Sequence, residues 1–516
     1  MDNNPEIVVL QLSSSKGKDI DAHCRTGVSI PFIDARWYSC SWEDDFAKEI
    51  ERVKPNLIVI ESLNDVSKED ASVKRNLPVN YDAYPEIPRL GYLYGDRYSP
   101  SYFASYQLLR KFKCNAALHR YTINGESLFE SDDLPIFCSL IPSRPLIPPA
   151  TDYSFYVYKE EKIIPVGFFG TGFIDSEGKH YPWRQAVASK LINKVPFFSG
   201  VRPSKALSGS SIQGNEYMKF INRCKLALTC GTETNVFLNK HFEIPLAGTC
   251  LVTEKTDLLE AIGFRDMENC VFVDEENVLE KVSYLLGNES RLAEITQAGR
   301  DFIVEQIQNN CVYRMVRRWY DCFVSLKSNE KVVQPDYFSF RSVVQSKTEV
   351  RLRFGVDKLK EMNLKAYDLL FEGNPMEAAK LFNEVLEYVG YEPLARLGLA
   401  IVGLVIGKLD VARNYVLNNF KHSDTYYPFD KLYDPVDLAY LSIIFFCDNN
   451  TDGATHCLSY AKNMEHPSIN AARKVITGLD SPEPESRTLL SRVPLNQYTY
   501  SHWITHFSGI VNKYKK

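Results

Sequence analysis

The sequence lacks the cysteine and histidine spacing of a metal-binding protein. None of its twelve cysteines forms a Cys-x-x-Cys pair, and the two nearest, Cys224 and Cys230, have no histidine cluster beside them. A zinc site is therefore disfavoured. Scattered cysteines are more typical of small buried side chains in a reducing cytoplasm.

Long apolar runs and a large excess of one charge are also missing. The longest apolar run, Leu397 to Gly407, has about half of the roughly 20 residues that cross a membrane, so it predicts a buried helix. The opening residues have acidic flanks where a secretory signal has basic ones. A net charge of -5 gives no bulk attraction to nucleic acid or to an anionic membrane. These absences favour a cytoplasmic protein without a transmembrane segment.

The first third of the chain alternates between strand and helix patterns. Apolar strands such as residues 7–12 and 57–62 are separated by an amphipathic helical pattern that ends before Pro55. Helices between apolar strands predict a parallel sheet that is covered on both faces. We therefore expect a Rossmann-like domain over residues 1–150, with a proline-rich linker near residues 142–161.

A second alternating series begins at the strand pattern "IIPVGFFGTG". It predicts a second Rossmann-like domain over residues 151–335. Two such domains in tandem leave a cleft between the carboxyl ends of their sheets, where ligands bind in these folds. Residues that directly follow strands are therefore the first candidates for a site.

The strand patterns stop before residues 345–516, where small residues recur at a fixed spacing. Gly373 is followed five residues later by Ala378, and Gly407 by Ala412, so the two copies are 34 residues apart. This is the tetratricopeptide period, and a looser third copy follows. An ordinary helical bundle is the alternative. The predicted fold class is α/β, with two tandem Rossmann-like domains followed by an all-α, tetratricopeptide-like helical-repeat domain.

Two segments early in the second domain contain residues that could bind an anion. Gly170 and Thr171 directly follow a predicted strand, where small residues let backbone N–H groups approach a phosphate. A plain glycine turn explains them equally well. Arg184 opens the next predicted helix, and it either faces a diphosphate or lies on the surface.

The stretch "NKHFEIPLAGTCLVTEK" places an acid between a polar loop and a buried strand. Lys240 and Glu243 are three residues apart, so they share one face of the predicted helix. That face offers a cation to phosphates and a carboxylate to ribose hydroxyls. From spacing alone, a surface ion pair is the alternative.

This stretch and its continuation resemble the C-terminal half of a GT-B glycosyltransferase of the group 1 type, and most of all the CgeB-like family. The shared pattern is a basic residue, an aromatic-Glu pair, a small-residue turn and an apolar strand. These stand here as Lys240, Phe242-Glu243, Ala247-Gly248 and "TCLVT". An acidic segment, "VFVDEENVLEKVSYLL", and a closing helix, "RLAEITQAGRDFIV", follow in the same order.

The resemblance covers about residues 160–310 and implies a nucleotide-sugar donor bound by the second domain. Glu243 would hold the ribose and Lys240 the diphosphate, and the turn at residues 170–171 would lie under the phosphates. Two positions depart from the family pattern. The family usually has Arg in place of Lys240, and many retaining members have Glu where this chain has Asn235.

The acceptor would bind the first domain. Asp96 follows a predicted strand and could accept the proton of an acceptor hydroxyl, or else it caps the helix that begins near Ser99. His23, in the loop after the first strand, could be a base, and so could His119; a surface position is the alternative for both histidines. No Asp-x-Asp pattern stands in a convincing position, so no metal ion or other cofactor is predicted.

The sequence thus predicts a cytoplasmic glycosyltransferase of glycan biosynthesis. The nucleotide-sugar donor would bind the second domain in an interdomain cleft, and the acceptor would be a protein or a surface glycan. The helical repeats would recognise that acceptor or a protein partner. The alternatives are transfer to a nucleic-acid base or a lipid-linked glycan, and a degenerate scaffold that acts through its repeats.

Overall fold

The described part of the chain, in a computed structural model, contains two parallel sheets flanked by helices and then a helical region. The predicted fold class, α/β with two Rossmann-like sheets followed by an all-α region, is therefore confirmed. The described residues are 6–13, 29–30, 35–61, 77–93, 100–119, 134–139, 160–170, 182–201, 214–231, 237–310, 312–344, 358–388, 392–426, 434–461, 466–479, 491 and 498–514.

The first sheet is built from short apolar strands near the start of the chain. Its strands are β1 (Ile7–Ser13), β2 (Ser29–Ile30), β3 (Ala35–Ser41), β4 (Leu57–Glu61), β5 (Arg89–Leu93), β6 (Ala116–His119) and β7 (Ile136–Cys138). Their order is β2-β3-β1-β4-β5-β6-β7, and all neighbours run parallel except β2 and β3. Helices α1 (Phe46–Val53) and α2 (Pro100–Lys111) are crossover connections of this sheet.

The second sheet is parallel throughout its described strands. These are β8 (Ile164–Gly170), β9 (Phe197–Val201), β10 (Cys224–Leu228), β11 (Cys250–Thr253) and β12 (Val271–Phe272). Their order is β12-β11-β10-β8-β9. The helices are α3 (Pro182–Leu191), α4 (Gly214–Asn222), α5 (Lys240–Leu246), α6 (Asp257–Ile262), α7 (Val278–Leu286) and α8 (Glu289–Asn310).

The chain then returns to the first sheet. Helix α9 (Val312–Val324) places Tyr313 edge-on against Trp37 of β3, with ring centroids 4.8 Å apart. The hairpin of β13 (Glu330–Asp336) and β14 (Ser339–Val344) follows. Gln334 of this hairpin accepts the N–H of Cys138 at 2.7 Å and donates to its carbonyl at 2.9 Å. One face of the first sheet is thus covered by chain that follows the second sheet.

The remaining described residues form helices that pack as successive pairs. They are α10 (Lys358–Phe371), α11 (Pro375–Tyr388), α12 (Pro393–Val405), α13 (Leu409–Tyr426), α14 (Pro435–Cys447), α15 (Thr451–Tyr460), α16 (Pro467–Thr477) and α17 (Tyr500–Tyr514). The most extensive contacts among these helices join α10 with α11, α12 with α13, α14 with α15 and α16 with α17. None of the helices in the described ranges is both long and apolar enough to cross a membrane.

The first three helix pairs share one turn. The second residue after the first helix of each pair has a left-handed backbone, and the fifth residue beyond it is a fully buried alanine. These pairs of positions are Gly373 and Ala378, Gly407 and Ala412, and Asn449 and Ala454. Asn takes the place of Gly in the third copy because it tolerates positive φ better than most residues. The looser third copy expected from the sequence therefore has the same turn, while the tetratricopeptide assignment stays a prediction.

The described cysteines fit the expectation of small buried side chains. All of them are free thiols, and all but Cys322 are buried. Burial raises the pKa of the thiols of Cys114 and Cys224 to about 12. These cysteines therefore pack as apolar groups.

Gly299 lets helix α8 pack closely against the backbone of Asn269, and any side chain at this position would prevent that packing. A Cβ atom at this position would lie 2.5 Å from the carbonyl oxygen of Asn269 and 3.9 Å from Pro245 of α5. We expect Gly299→Ala to lower the free energy of unfolding by about 2 kcal/mol, because backbone must shift to relieve the overlap.

The matched control for this substitution is Gly509→Ala in α17. A Cβ atom at Gly509 would meet nothing within 4 Å, so the higher helix propensity of Ala should raise stability by up to about 1 kcal/mol. Urea denaturation followed by circular dichroism measures both. Equal effects of the two substitutions would contradict the proposed overlap.

Candidate anion site at the edge of the second sheet

The candidate site lies at the carboxyl edge of the second sheet, between β8 and β10. Strand order reverses there, because β9 extends the sheet on one side of β8 while β10, β11 and β12 extend it on the other. In open parallel sheets ligands bind in the crevice at such a reversal. Phe168 lies near the end of β8, and residues 229–231 directly follow β10.

Helix α5 carries Lys240 and Glu243 to this edge. Lys240 is its first residue, and the Glu243 N–H donates to the carbonyl of Asn239 at 2.9 Å. The helix ends at Leu246, and Gly248, with φ of 64°, turns the chain into β11. Gly suits that left-handed position because it has no Cβ atom.

The turn after α5 is held by side chains from two other elements. Lys162 Nζ donates to the Gly248 carbonyl at 2.6 Å and to Thr249 Oγ1 at 3.0 Å. Asn222 Nδ2 donates to the Ala247 carbonyl at 2.5 Å. Burial lowers the pKa of Lys162 to about 8. These bonds satisfy carbonyls at the C-terminus of α5 and so fix the helix against the sheet.

Two buried cations share one aromatic ring at the site. The Arg184 guanidinium of α3 lies 5.5 Å from the centroid of the Phe168 ring, and Lys240 Nζ lies 5.4 Å from it. Both distances are within the range of a cation–π interaction. Arg184 is only 5% exposed and Lys240 only 7%. Positive charge is therefore concentrated and partly desolvated at the end of β8, which favours an anionic ligand.

A carboxylate lies at the same edge of the sheet. Glu254 directly follows β11, is half-buried, and accepts the N–H of Gly231 at 2.5 Å. Burial raises the pKa of Glu254 to about 7, although the Gly231 N–H and the charge of Arg184 act in the opposite direction. Arg184 Nε in turn donates to Cys230 Sγ at 2.8 Å. The chain segments after β10 and β11 are thus linked to each other and to α3.

His241 joins two of the chain segments that form the site. It is fully buried, and its Nδ1 accepts the N–H of Leu238 at 3.0 Å, so Nε2 carries the proton when the ring is neutral. Nε2 lies 3.2 Å from Thr253 Oγ1 at the end of β11. The Phe237 ring stacks on the imidazole at 5.2 Å between centroids. His241 therefore ties the start of α5 to β11.

Of the residues predicted for the donor, Arg184 and Lys240 come together over Phe168. Gly170 ends β8 at the same edge, and Glu243 is half-buried on α5, one helical turn beyond Lys240. Thr171 lies outside the described residues. The surface alternative for Arg184 is wrong, since its side chain is buried.

The predicted acceptor residues Asp96 and His23 both lie outside the described residues. His119 ends β6 and is fully buried, so the surface position weighed for it is wrong. The sequence reasoning did not select Phe168 or Glu254. Glu254 could have been found, because it is an acid that directly follows a buried apolar strand, which is the criterion that selected Asp96.

The described side chains suit an anion better than a metal ion. Within the described ranges, no three His, Cys, Asp or Glu side chains are grouped so as to hold a metal ion. The buried positive groups are the Arg184 guanidinium and the Lys240 ammonium. Guanidinium and ammonium groups are the usual partners of phosphate oxygens.

Several solved structures are similar to this chain at low identity. HepE of Anabaena, in complex with UDP and glucose, is 10% identical, and the match covers 62% of this chain and 100% of HepE at a TM-score of 0.38. A glycosyltransferase from Rickettsia africae ESF-5 is 10% identical over 62% of this chain and 100% of its own, with a TM-score of 0.35. The C-terminal domain of LpcC from Francisella tularensis, a glycosyl transferase group 1 family protein, is 13% identical over 31% and 99%, with a TM-score of 0.25.

One protein family matches the part of the chain that contains the candidate site. No curated protein matches the sequence. Residues 168–317 match the family model described as "Glycosyl transferase-like". The matched segment begins at Phe168 and contains Arg184, Lys240, Glu243 and Glu254. This part of the chain, from β8 to α9, is thus similar to the glycosyl transferase-like family.

Proposed function

We propose that the protein is a glycosyltransferase that transfers a sugar from a nucleotide-sugar donor to an acceptor. The observation that carries the proposal is the coincidence of the family match with the anion site. The matched residues, 168–317, contain the two buried cations over Phe168 at the point where strand order reverses. A nucleotide sugar supplies the diphosphate that such a site suits.

In this proposal Arg184 and Lys240 bind the donor diphosphate and stabilise the charge that grows on it as the glycosidic bond breaks. Glu243, one turn further along α5, accepts hydrogen bonds from the ribose hydroxyls. Gly170, the last residue of β8, and Thr171 after it lie under the phosphates. The CgeB-like subtype remains a prediction from the sequence.

We assign binding of the acceptor to the first sheet and to the helix pairs. The first sheet would bind the acceptor, a protein or a surface glycan, with Asp96 or His23 as the candidate base. The helix pairs would recognise the acceptor or a partner protein, since stacked helix pairs usually present an extended binding surface. A cytoplasmic location and a role in glycan biosynthesis belong to the same proposal.

A panel of nucleotide sugars tests the proposal. The purified chain is incubated with UDP-glucose, UDP-N-acetylglucosamine, GDP-mannose and TDP-rhamnose, and both thermal stability and release of free nucleotide are measured. We expect at least one donor to raise the melting temperature, because a ligand that binds only the folded state stabilises it. If no donor binds, the enzyme proposal fails and the alternative of a degenerate scaffold is favoured.

Glu243→Ala is expected to weaken binding of the best donor about 30-fold. A carboxylate that accepts two ribose hydroxyls contributes about 2 kcal/mol when its hydrogen bonds are shielded from water. Isothermal titration calorimetry measures the affinity. Glu268→Ala is the control, because Glu268 is an exposed acid of the same domain. Wild-type affinity in Glu243→Ala would exclude the ribose assignment without excluding the glycosyltransferase.

A further inference from the structure

Glu254 occupies a position that an anionic ligand would be expected to take. Its carboxylate accepts the Gly231 N–H at 2.5 Å, and the charge of Arg184 acts on it. A backbone N–H at a strand end and a buried guanidinium are the donors that a diphosphate would use. The site therefore already contains a negative group that belongs to the protein.

We propose that Glu254 is a proton-linked positioning residue of the anion site. As a carboxylate it holds Gly231 and opposes the diphosphate of a nucleotide sugar. As a carboxylic acid it no longer repels the ligand, and its O–H can donate to a phosphate oxygen. The inference rests on the proposed function, since it concerns how the same site takes its donor.

The proton balance of the step is simple. When the diphosphate enters near ionised Glu254, one proton from solvent binds the carboxylate, and no covalent bond forms or breaks. The proton is released again when the diphosphate leaves. Donor binding and protonation of Glu254 therefore favour each other, as linkage requires.

The other charged or proton-binding groups around Glu254 do not replace it in this role. Arg184 of α3 donates to Cys230 Sγ, next to Gly231, and its positive charge acts on Glu254. Lys255, next in the chain, pairs its ammonium with Glu260 at 3.1 Å. Lys240 contributes the second positive charge over Phe168. His241 touches the neighbouring Thr253 through Nε2, and its contribution would persist in a Glu254 variant.

The sign of the pH dependence follows from the raised pKa of Glu254, about 7 in the free protein. Below that pH the carboxyl is protonated in both free and bound protein, so affinity is constant. A bound diphosphate raises the pKa further, so affinity falls as pH rises from about 7 to the pKa of the complex. The decrease approaches tenfold per pH unit, the limit for uptake of about one proton.

The experiment measures donor affinity from about pH 6 to about pH 9 for the full chain and for Glu254→Gln. The probe is whichever of UDP-glucose, UDP-N-acetylglucosamine, GDP-mannose and TDP-rhamnose binds best, because the phosphates of these diesters do not titrate in this range. In wild type we expect the dissociation constant to rise about tenfold between pH 7 and pH 8.5. In Glu254→Gln we expect a change of less than about twofold, and tighter binding than wild type at high pH.

Glu254→Gln keeps a carbonyl oxygen for the Gly231 N–H, so loss of the pH profile would reflect charge and not shape. Glu260→Gln is the matched control, since Glu260 is an acid of the adjacent helix α6 and pairs with Lys255 away from the site; it should keep the wild-type profile. An unchanged profile in Glu254→Gln would overturn this inference while leaving the proposed function intact. Absence of donor binding to wild type at every pH would overturn both.

Discussion

Replacing Lys240 with Met is expected to lower the rate of sugar transfer about 100-fold, which is what the loss of one preorganised donor to a developing negative charge commonly costs. Lys240 is 7% exposed, and its ammonium lies 5.4 Å from the Phe168 centroid. A charge that is shielded from water interacts more strongly than a solvated one. Because it is already in position, its surroundings need not reorganise during the reaction. Met retains an apolar chain of similar length against Phe168, so the fold should persist.

Two further variants make the Lys240 result specific. Lys240→Arg should retain most of the activity, because a guanidinium keeps the positive charge near Phe168 and also binds phosphate oxygens. Lys255→Met should change the rate less than about twofold, because the Lys255 ammonium is exposed and its ion pair with Glu260 is a surface pair. Steady-state kinetics with the best donor separates turnover from donor affinity. An active wild type and a Lys240→Met variant within threefold of it, by that measurement, would refute the diphosphate role.

Local patterns were enough to predict much of the second domain. Period and length identify β8, β10 and β11, because a buried parallel strand is a short apolar run followed by small or polar residues. The rule that ligands bind after such strands led to Lys240 and Arg184. Both lie at the reversal of strand order, although that reversal was not visible in the sequence. The reversal depends on which strands pair, and the sequence pattern of a single strand does not indicate its partner.

The parts that could not be predicted depend on contacts between distant segments. Nothing in the pattern of α9 indicates that it leaves the second sheet and packs Tyr313 against Trp37. The pairing of the Gln334 side chain with the backbone of Cys138 is equally unmarked. These contacts attach residues 312–344 to the first sheet.

Arg89 is another residue whose structural role could not be predicted from the sequence. It begins β5, yet it is 1% exposed. Its guanidinium donates to the carbonyls of Tyr81 and Phe112 at 2.9 Å each, and to the carbonyls of Ala83 and Tyr84. A planar fork of donors suits this set of backbone acceptors, which a point charge could not satisfy together. Burial lowers the pKa of Arg89, but a guanidinium stays protonated at neutral pH.

The consequence is that one side chain joins three parts of the first domain. The loop of residues 77–88, the end of α2 and the start of β5 all meet at the Arg89 guanidinium. Phe46 of α1 also lies below it, with the ring centroid 5.9 Å from the guanidinium carbon. Loss of the guanidinium would remove the donor of the buried Phe112 carbonyl and of the partly buried carbonyls of Tyr81 and Ala83, and a group left unpaired is costly. The loop and the sheet would then separate locally before the rest of the domain unfolds.

Arg89→Met is therefore expected to lower the free energy of unfolding of the first domain by about 4 kcal/mol. Arg89→Lys should recover only part of the loss, because one ammonium cannot reach all of the carbonyls. Arg52→Met is the control: Arg52 is an exposed arginine of α1 paired with Glu49, and it should cost less than about 1 kcal/mol. Urea unfolding followed by tryptophan fluorescence measures all three, since Trp42 packs edge-on against Phe112 with centroids 5.4 Å apart. Equal losses in Arg89→Met and Arg52→Met would mean that the buried hydrogen bonds of Arg89 add nothing to the stability of the domain.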